Sequence, residues 1–181
     1  MLDDVDGAEL SLRAIARKAG VSRAAPYHHF ADKDALLAAT AAAGFKQLRS
    51  EMTSPGLLSE NNPLRKMQDM GVAYVLFAVH HPRLYRLMFS GELSDRDNHP
   101  ELKTEADATY EALGSAMARS NPGIQSHEGA GESMALGAWA LVHGLSTLLI
   151  DGRVGGKDLS DEQVESIARN TTRIIGRGIA G

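Results

Sequence analysis

The sequence predicts an all-α protein built from a short basic N-terminal unit, residues 1–50, and a larger acidic body, residues 57–181. Three observations predict it. Alternating β-branched residues never persist for more than a few positions, whereas Ala, Leu, Met, Glu and Arg recur at helical spacing. Pro and Gly fall where helices would start and stop, not at the closer intervals of strands. Charge is segregated along the 181 residues: Ser11 to Arg49 carries seven basic residues against two acidic, a balance of +5, while the overall charge is -4. The ten residues before Ser11 sum to -4 and those after Arg49 to -5.

Each element has a local reason. Ser11 is placed to cap a short helix with Leu12, Ile15, Ala16 and Ala19 on one face, which Gly20 stops. Val21 points inward and Ser22 caps a second helix from Arg23 to about Phe30. Pro26 falls in its first turn, where a missing N–H costs little. Asp32 caps a third helix, Lys33 to about Met52, with an inner stripe through Leu36, Leu37, Thr40, Gly44 and Leu48. Thr53 to Gly56 and Ser59 to Pro63 form the linker. A helix from Pro63 to about His81 ends at Pro82, Arg83 to Phe89 is a short helix, and Glu92 to His99 is a loop. Pro100 starts a helix to about Ser120, stopped by Asn121-Pro122-Gly123. The helix from about His127 to Gly152 is apolar around much of its circumference, the pattern of a helix buried on several sides. The last, Ser160 to Ile179, opens on a capping box of Ser160 and Gln163 and carries one apolar stripe.

Two short helices joined by a tight Gly-containing turn, in the one basic segment, make a helix-turn-helix candidate. Ser11 to Leu37 reads SLRAIARKAGVSRAAPYHHFADKDALL. Ala16 and Gly20 let the helices approach, while Val21, Phe30 and Leu36 fill a miniature core, with His29 expected to pack there too. Through the Ala16 to Ser22 turn, Tyr27 with Phe30, and Lys33 to Leu37, the string resembles the DNA-binding segment of the TetR/AcrR family of one-component regulators. The resemblance implies that Ser22, Arg23, Ala24, Tyr27 and His28 face the major groove or its flanking phosphates. Arg23 would read a guanine, Ala24 would meet a thymine methyl and Tyr27 would touch the backbone. Lys33 would neutralise a phosphate, and Ser11 and Arg13 would approach others. In that family a full helix precedes the motif. Here ten acidic, Gly-containing residues stand before Ser11, so the three-helix domain is expected to be incomplete and to bind DNA poorly until that helix is restored.

In the body, Trp139-Ala-Leu-Val-His143-Gly144-Leu145 sets Trp139 and His143 four apart on one helical face, with Gly144 permitting close helix approach. With the stretch Val79 to Phe89, it resembles the C-terminal ligand-binding domain of a TetR subgroup named for its Trp-His-Gly motif. This implies a mostly apolar cavity for a small-molecule effector, lined from among Met70, Tyr74, Phe77, His81, Tyr85, Phe89, Tyr110, Met117, Trp139 and His143. His143 is the expected polar anchor; core and pocket are equal alternatives for Trp139 and the methionines. The two terminal helices carry more apolar surface than one partner can cover. They are expected to form a four-helix homodimer bundle through Leu145, Leu148, Leu149, Ile167, Thr171, Ile174 and Ile175. A dimer also suits a palindromic double-stranded DNA operator, because two recognition helices must meet successive major grooves about 34–36 Å apart.

Composition narrows the remaining classes. With no Cys there is no disulfide and no thiolate metal site, and the cytoplasm is the default compartment. The acidic start is the opposite of a signal peptide. No uninterrupted apolar run reaches the roughly 18 residues of a membrane span, so no membrane partner is expected. No Ser/His/Asp spacing, Gly-rich phosphate loop or HExxH string occurs, so no catalytic residue, metal or cofactor is expected. His80 and His81 are adjacent and diverge on a helix, so they cannot chelate together. Two other readings compete with a ligand-responsive repressor: a helical ligand-binding or interaction module deficient in DNA binding, and a small all-α enzyme using His143 or His81 as base.

Overall fold

The computed structural model describes residues 20, 22, 28–54, 56, 62–93, 95–120, 130–156 and 158–179. Among them are six α-helices and two single turns of 3-10 helix of known extent, with no strand. We label the helices α1 (Lys33–Met52), α2 (Pro63–His80), α3 (Pro82–Met88), α4 (Pro100–Ser120), α5 (Ala130–Ile150) and α6 (Asp161–Ile179). The helices expected before Lys33, and the stop at Asn121-Pro122-Gly123, lie outside the described residues. The expected loop from Glu92 to His99 contains the 3-10 turns Gly91–Leu93 and Arg96–Asn98. The chain divides into two compact units, one of Met1–Phe45 with Arg83–Ala106, the other of Lys46–Pro82 with Asp107–Gly181.

In the first unit, α1 begins where Asp32 accepts a hydrogen bond from the Ala35 N–H at 2.8 Å, an N-cap that satisfies an otherwise orphaned donor. Leu37, Ala38, Ala41, Ala42 and Phe45 are buried along its inner face. Gly44 belongs to that face, and a Cβ there would stand 2.7 Å from Met88 Sδ and 3.0 Å from Leu84 Cδ1, so the small residue sets how closely α3 approaches. Phe45 meets Phe89 edge-on with centroids 5.3 Å apart, and Phe89 in turn lies 5.1 Å from Tyr85. The Arg96 guanidinium sits 5.3 Å from the Phe45 ring centroid, a cation–π contact. Gly20 has φ +70, the left-handed conformation expected of the residue that stops a helix. His29, expected to pack in the small core, is exposed, its ring 6.5 Å from that of Phe30. The two residues are neighbours in a turn, and only the half-buried Phe30 is drawn inward.

In the second unit, α2, α5 and α6 pack together. Asn62 caps α2 by accepting from the Leu64 and Arg65 N–H groups at 3.0 and 3.3 Å, and Pro63 supplies a first position that needs no donor. The α6 capping box forms as its sequence dictates: Ser160 N–H donates to Gln163 Oε1 at 2.9 Å and Gln163 N–H to Ser160 Oγ at 3.3 Å. Val164, Ala168 and Thr172, one turn apart, are the buried line of α6. Thr172 answers its burial by donating to the Ala168 carbonyl at 2.9 Å, as the fully buried Ser146 does to Val142 at 2.8 Å. Met67, Met117, Ala135 and Ala138 form a further buried cluster, flanked by Leu64 and Met134.

Polar links hold the same helices in register. Arg169 bonds both Asp69 on α2 and Glu165 one turn earlier on α6, and those two carboxylates hold its pKa above the ordinary arginine value. His80 Nε2 and Asp161 Oδ1 are 2.8 Å apart. The segment Glu132–Ile150 of α5 is long and apolar enough to cross a membrane by length and composition, although Gly, His, Ser and Thr interrupt its apolar run. A core helix of a helical bundle passes the same test.

Candidate functional site

The second unit brings together four of the residues expected to bind ligand, three of them through hydrogen bonds. Tyr74 projects from α2, and Trp139 and His143 from successive turns of α5. Trp139 Nε1–H donates to the Tyr74 hydroxyl oxygen at 3.3 Å, and that hydroxyl lies 3.1 Å from His143 Nδ1. Burial holds the His143 pKa below its ordinary 6.5, so the ring is neutral at pH 7. This geometry suits a relay in which Tyr74 O–H donates to Nδ1, leaving the imidazole proton on Nε2.

A row of rings extends from the same residues. Trp139 and His143 have centroids 5.7 Å apart at 63°, and Tyr110 of α4 meets Trp139 at 5.8 Å and 74°. Both are edge-to-face contacts, attractive because a positive ring edge meets a negative face. The row grades from inside to outside: Tyr74 beneath it is 3% exposed, Trp139 and His143 are half-buried, and Tyr110 is 40% exposed. The Tyr110 contact with Trp139 is not visible in the spacing of either helix, since it joins residues far apart in sequence.

The other expected ligand residues are placed as follows. Met70 and Phe77 are fully buried on α2, and His81 follows α2 with its ring 5.0 Å from that of Phe77 and its Nε2 3.2 Å from Gln47 Nε2. Met117 belongs to the methionine–alanine cluster. Tyr85 and Phe89 are part of the first unit, where Phe89 packs against both Phe45 and Tyr85. His80 and His81 do diverge, one toward Asp161 and one toward Phe77 and Gln47. No group of three or more His, Cys, Asp or Glu side chains able to hold a metal occurs among the described residues.

Of the expected DNA-contacting residues, Ser22 and His28 are exposed and Lys33 is half-buried at the start of α1. Ser11, Arg13, Arg23, Ala24 and Tyr27 lie outside the described residues. Of the expected dimer contacts, Leu148 and Ile174 are exposed at 46% and 66%. Ile167 and Thr171 are half-buried, and Leu145 and Leu149 are buried within the chain. The side chain of Ile175 lies outside the described residues. Leu136, not singled out from the sequence, is 53% exposed on the same helix as Leu148.

Comparison with known proteins agrees with both halves. Residues 6–40 match the family model described as bacterial regulatory proteins, tetR family, and residues 67–172 match the model for the tetracyclin repressor-like C-terminal domain. Among solved structures, a protein of unknown function from Rhodococcus sp. RHA1 is 28% identical, with a TM-score of 0.77 over 99% of this chain and 90% of that one. The TetR family transcriptional regulator PfmR from Thermus thermophilus is 19% identical, with a TM-score of 0.68 over 92% of this chain and 87% of its own. The regulatory protein SCO4313 is also 19% identical, with a TM-score of 0.63 and coverage of 90% and 84%. The search of curated proteins finds no match. The C-terminal model alone spans more than half of the 181 residues, so this all-α chain, with its helix-turn-helix segment and its C-terminal domain, belongs to the TetR family of bacterial regulatory proteins.

Proposed function

We propose that the protein is a cytoplasmic homodimeric repressor that binds a palindromic DNA operator and leaves it when a small, mostly apolar effector occupies the second unit. The observation that carries the effector half is the Tyr74–His143–Trp139 relay, a polar feature set into the apolar region between α2 and α5. Trp139, His143 and Gly144 also support membership of the subgroup with the Trp-His-Gly motif. The DNA half is supported by the family match over residues 6–40 and by the exposure of Ser22 and His28 there. Dimerisation is supported by the outward-facing Leu148 and Ile174. Leu136 is a further exposed apolar residue of α5. An effector that favours one spacing of the two DNA-binding heads shifts the population by no more than its differential affinity.

The test is anisotropy with duplexes from the promoter of the protein's own gene, titrated between about 50 and 200 mM salt. A sequence-specific regulator binds one palindrome in preference to scrambled duplex, with log affinity falling linearly in log salt. Lys33→Ala should weaken all duplexes alike and reduce the slope by about 1, whereas Arg23→Ala should relax discrimination at one base pair. Equal affinity for every sequence, or no salt dependence, would refute the reading.

A further inference from the structure

We propose that His81 is a positioning residue for operator binding: as the acceptor at the end of a Glu51–Gln47–His81 hydrogen-bond chain, it ties α1 to the elbow between α2 and α3. The inference rests on the reading of the protein as an operator-binding regulator, and gives His81 a role other than the ligand contact expected from the sequence.

The first argument is the direction of the hydrogen bonds. Gln47 Nε2 lies 3.0 Å from Glu51 Oε1, one turn later on α1, and 3.2 Å from His81 Nε2. A carboxylate only accepts, so the Gln47 atom that meets it is the amide nitrogen, which carries two hydrogens, one for each partner. His81 Nε2 must then offer its lone pair, which a ring carrying its proton on Nδ1 alone provides. Reversing the amide would set Gln47 Oε1 against the Glu51 carboxylate. Glu51 therefore holds the whole chain in one direction.

The second argument is place. The chain passes between its two units after Phe45, after Pro82 and after Ala106. The first and third of these points fall inside α1 and α4, where a helical ladder continues across them; the second stands one residue beyond the break between α2 and α3. His81 is that break, with φ -125 and ψ 53, and the proline after it disfavours helical geometry there. Dihedral changes in a folded chain concentrate at such element-terminal residues. The His81 side chain is held from two sides: its ring lies 5.0 Å from that of the fully buried Phe77, and its Nε2 meets Gln47, the second residue beyond the crossing in α1. From Gln47, α1 runs without interruption back to Lys33, within the segment matched to the DNA-binding family model. Loss of the link would widen the range of directions in which α1 leaves the second unit. Operator affinity would fall with the fraction of dimers whose heads stand at groove spacing.

The test uses the full chain and the palindromic promoter duplex. His81→Phe keeps a ring against Phe77 and loses only the acceptor, and Gln47→Met, at an exposed position, loses only the donor. Each should weaken operator binding about threefold to tenfold, the worth of one hydrogen bond. The double variant should lose no more than either single one, and His81→Gln, whose carbonyl can accept from Gln47, should recover most of the affinity. Far-UV circular dichroism should show every variant folded under the conditions of the titration. The 15N shifts of the His81 ring, recorded at about pH 8 and assigned by their absence from His81→Phe, should place the proton on Nδ1. A proton on Nε2, unchanged operator affinity in both single variants, or additive losses in the double variant would overturn the role of His81 and leave the operator reading standing. A wild-type chain that prefers no duplex would overturn the operator reading, and this role with it.

Discussion

A methyl group on Gly71 would stand 2.8 Å from Cγ2 of Thr172, closer than carbon atoms approach without displacement. Glycine at this position is therefore what lets α2 lie against the buried line of α6. Thr172 has little freedom to yield, because turning its side chain would break the hydroxyl bond to the Ala168 carbonyl. Gly71→Ala should gain up to about 1 kcal/mol of helix propensity and lose about 1–3 kcal/mol to overpacking, a net destabilisation. Thr172→Ser removes the offending methyl and keeps the hydroxyl. The double variant Gly71→Ala/Thr172→Ser should then be more stable than the two single losses predict, as read by urea unfolding in a double-mutant cycle.

Stability should depend on pH through His143. Its folded-state pKa lies below the ordinary 6.5, so between the two values the unfolded chain holds more protons than the folded one. The stabilisation is present above about pH 6.5 and is lost as the pH falls through the folded pKa. The melting temperature of the wild type should drop more steeply between pH 8 and pH 5 than that of His143→Gln. Parallel curves would show that the imidazole is not desolvated.

Pairing of protomers should respond to the outward residues and not to helix content. Leu148→Asp with Ile174→Asp changes two exposed positions, so far-UV circular dichroism should be unchanged while light scattering reports a monomer. The same variant should lose operator affinity, because one head alone cannot span two successive major grooves. A dimer that survives both changes would move the interface elsewhere.

The start of α6 can be tested without touching the core. Ser160→Ala removes the acceptor for the Gln163 N–H and should cost about 1 kcal/mol. For a chain of this size that corresponds to a fall of about 2–4 °C in melting temperature.

Helix boundaries were legible wherever a cap and a breaker stood next to each other in sequence. Asp32 before Lys33, Asn62 before Pro63 and Ser160 with Gln163 each satisfy donors within three residues, so local chemistry alone sets those starts. The facing of α5 was not legible. Its residues are apolar on nearly every side, so nothing in the pattern separates Leu145 and Leu149, which point inward, from Leu136 and Leu148, which point out. The site was legible in part: four-residue spacing puts Trp139 beside His143, but their connection to Tyr74 and Tyr110 depends on how three helices pack. His29 misled because an aromatic neighbour of Phe30 resembles core, whereas adjacent residues in a turn diverge.

The contact between His80 and Asp161 joins the last residue of α2 to the first of α6. Aligned peptide dipoles leave partial negative charge at the end of one helix and partial positive charge at the start of the other. The Asp161 carboxylate suits the start of the helix that carries it, and the His80 ring at the end of α2 meets that carboxylate at 2.8 Å. One exposed contact thus complements a helix start while tying two helix termini together. Added salt would screen the attraction between the Asp161 carboxylate and the helix start, so the integrity of this corner should fall as ionic strength rises.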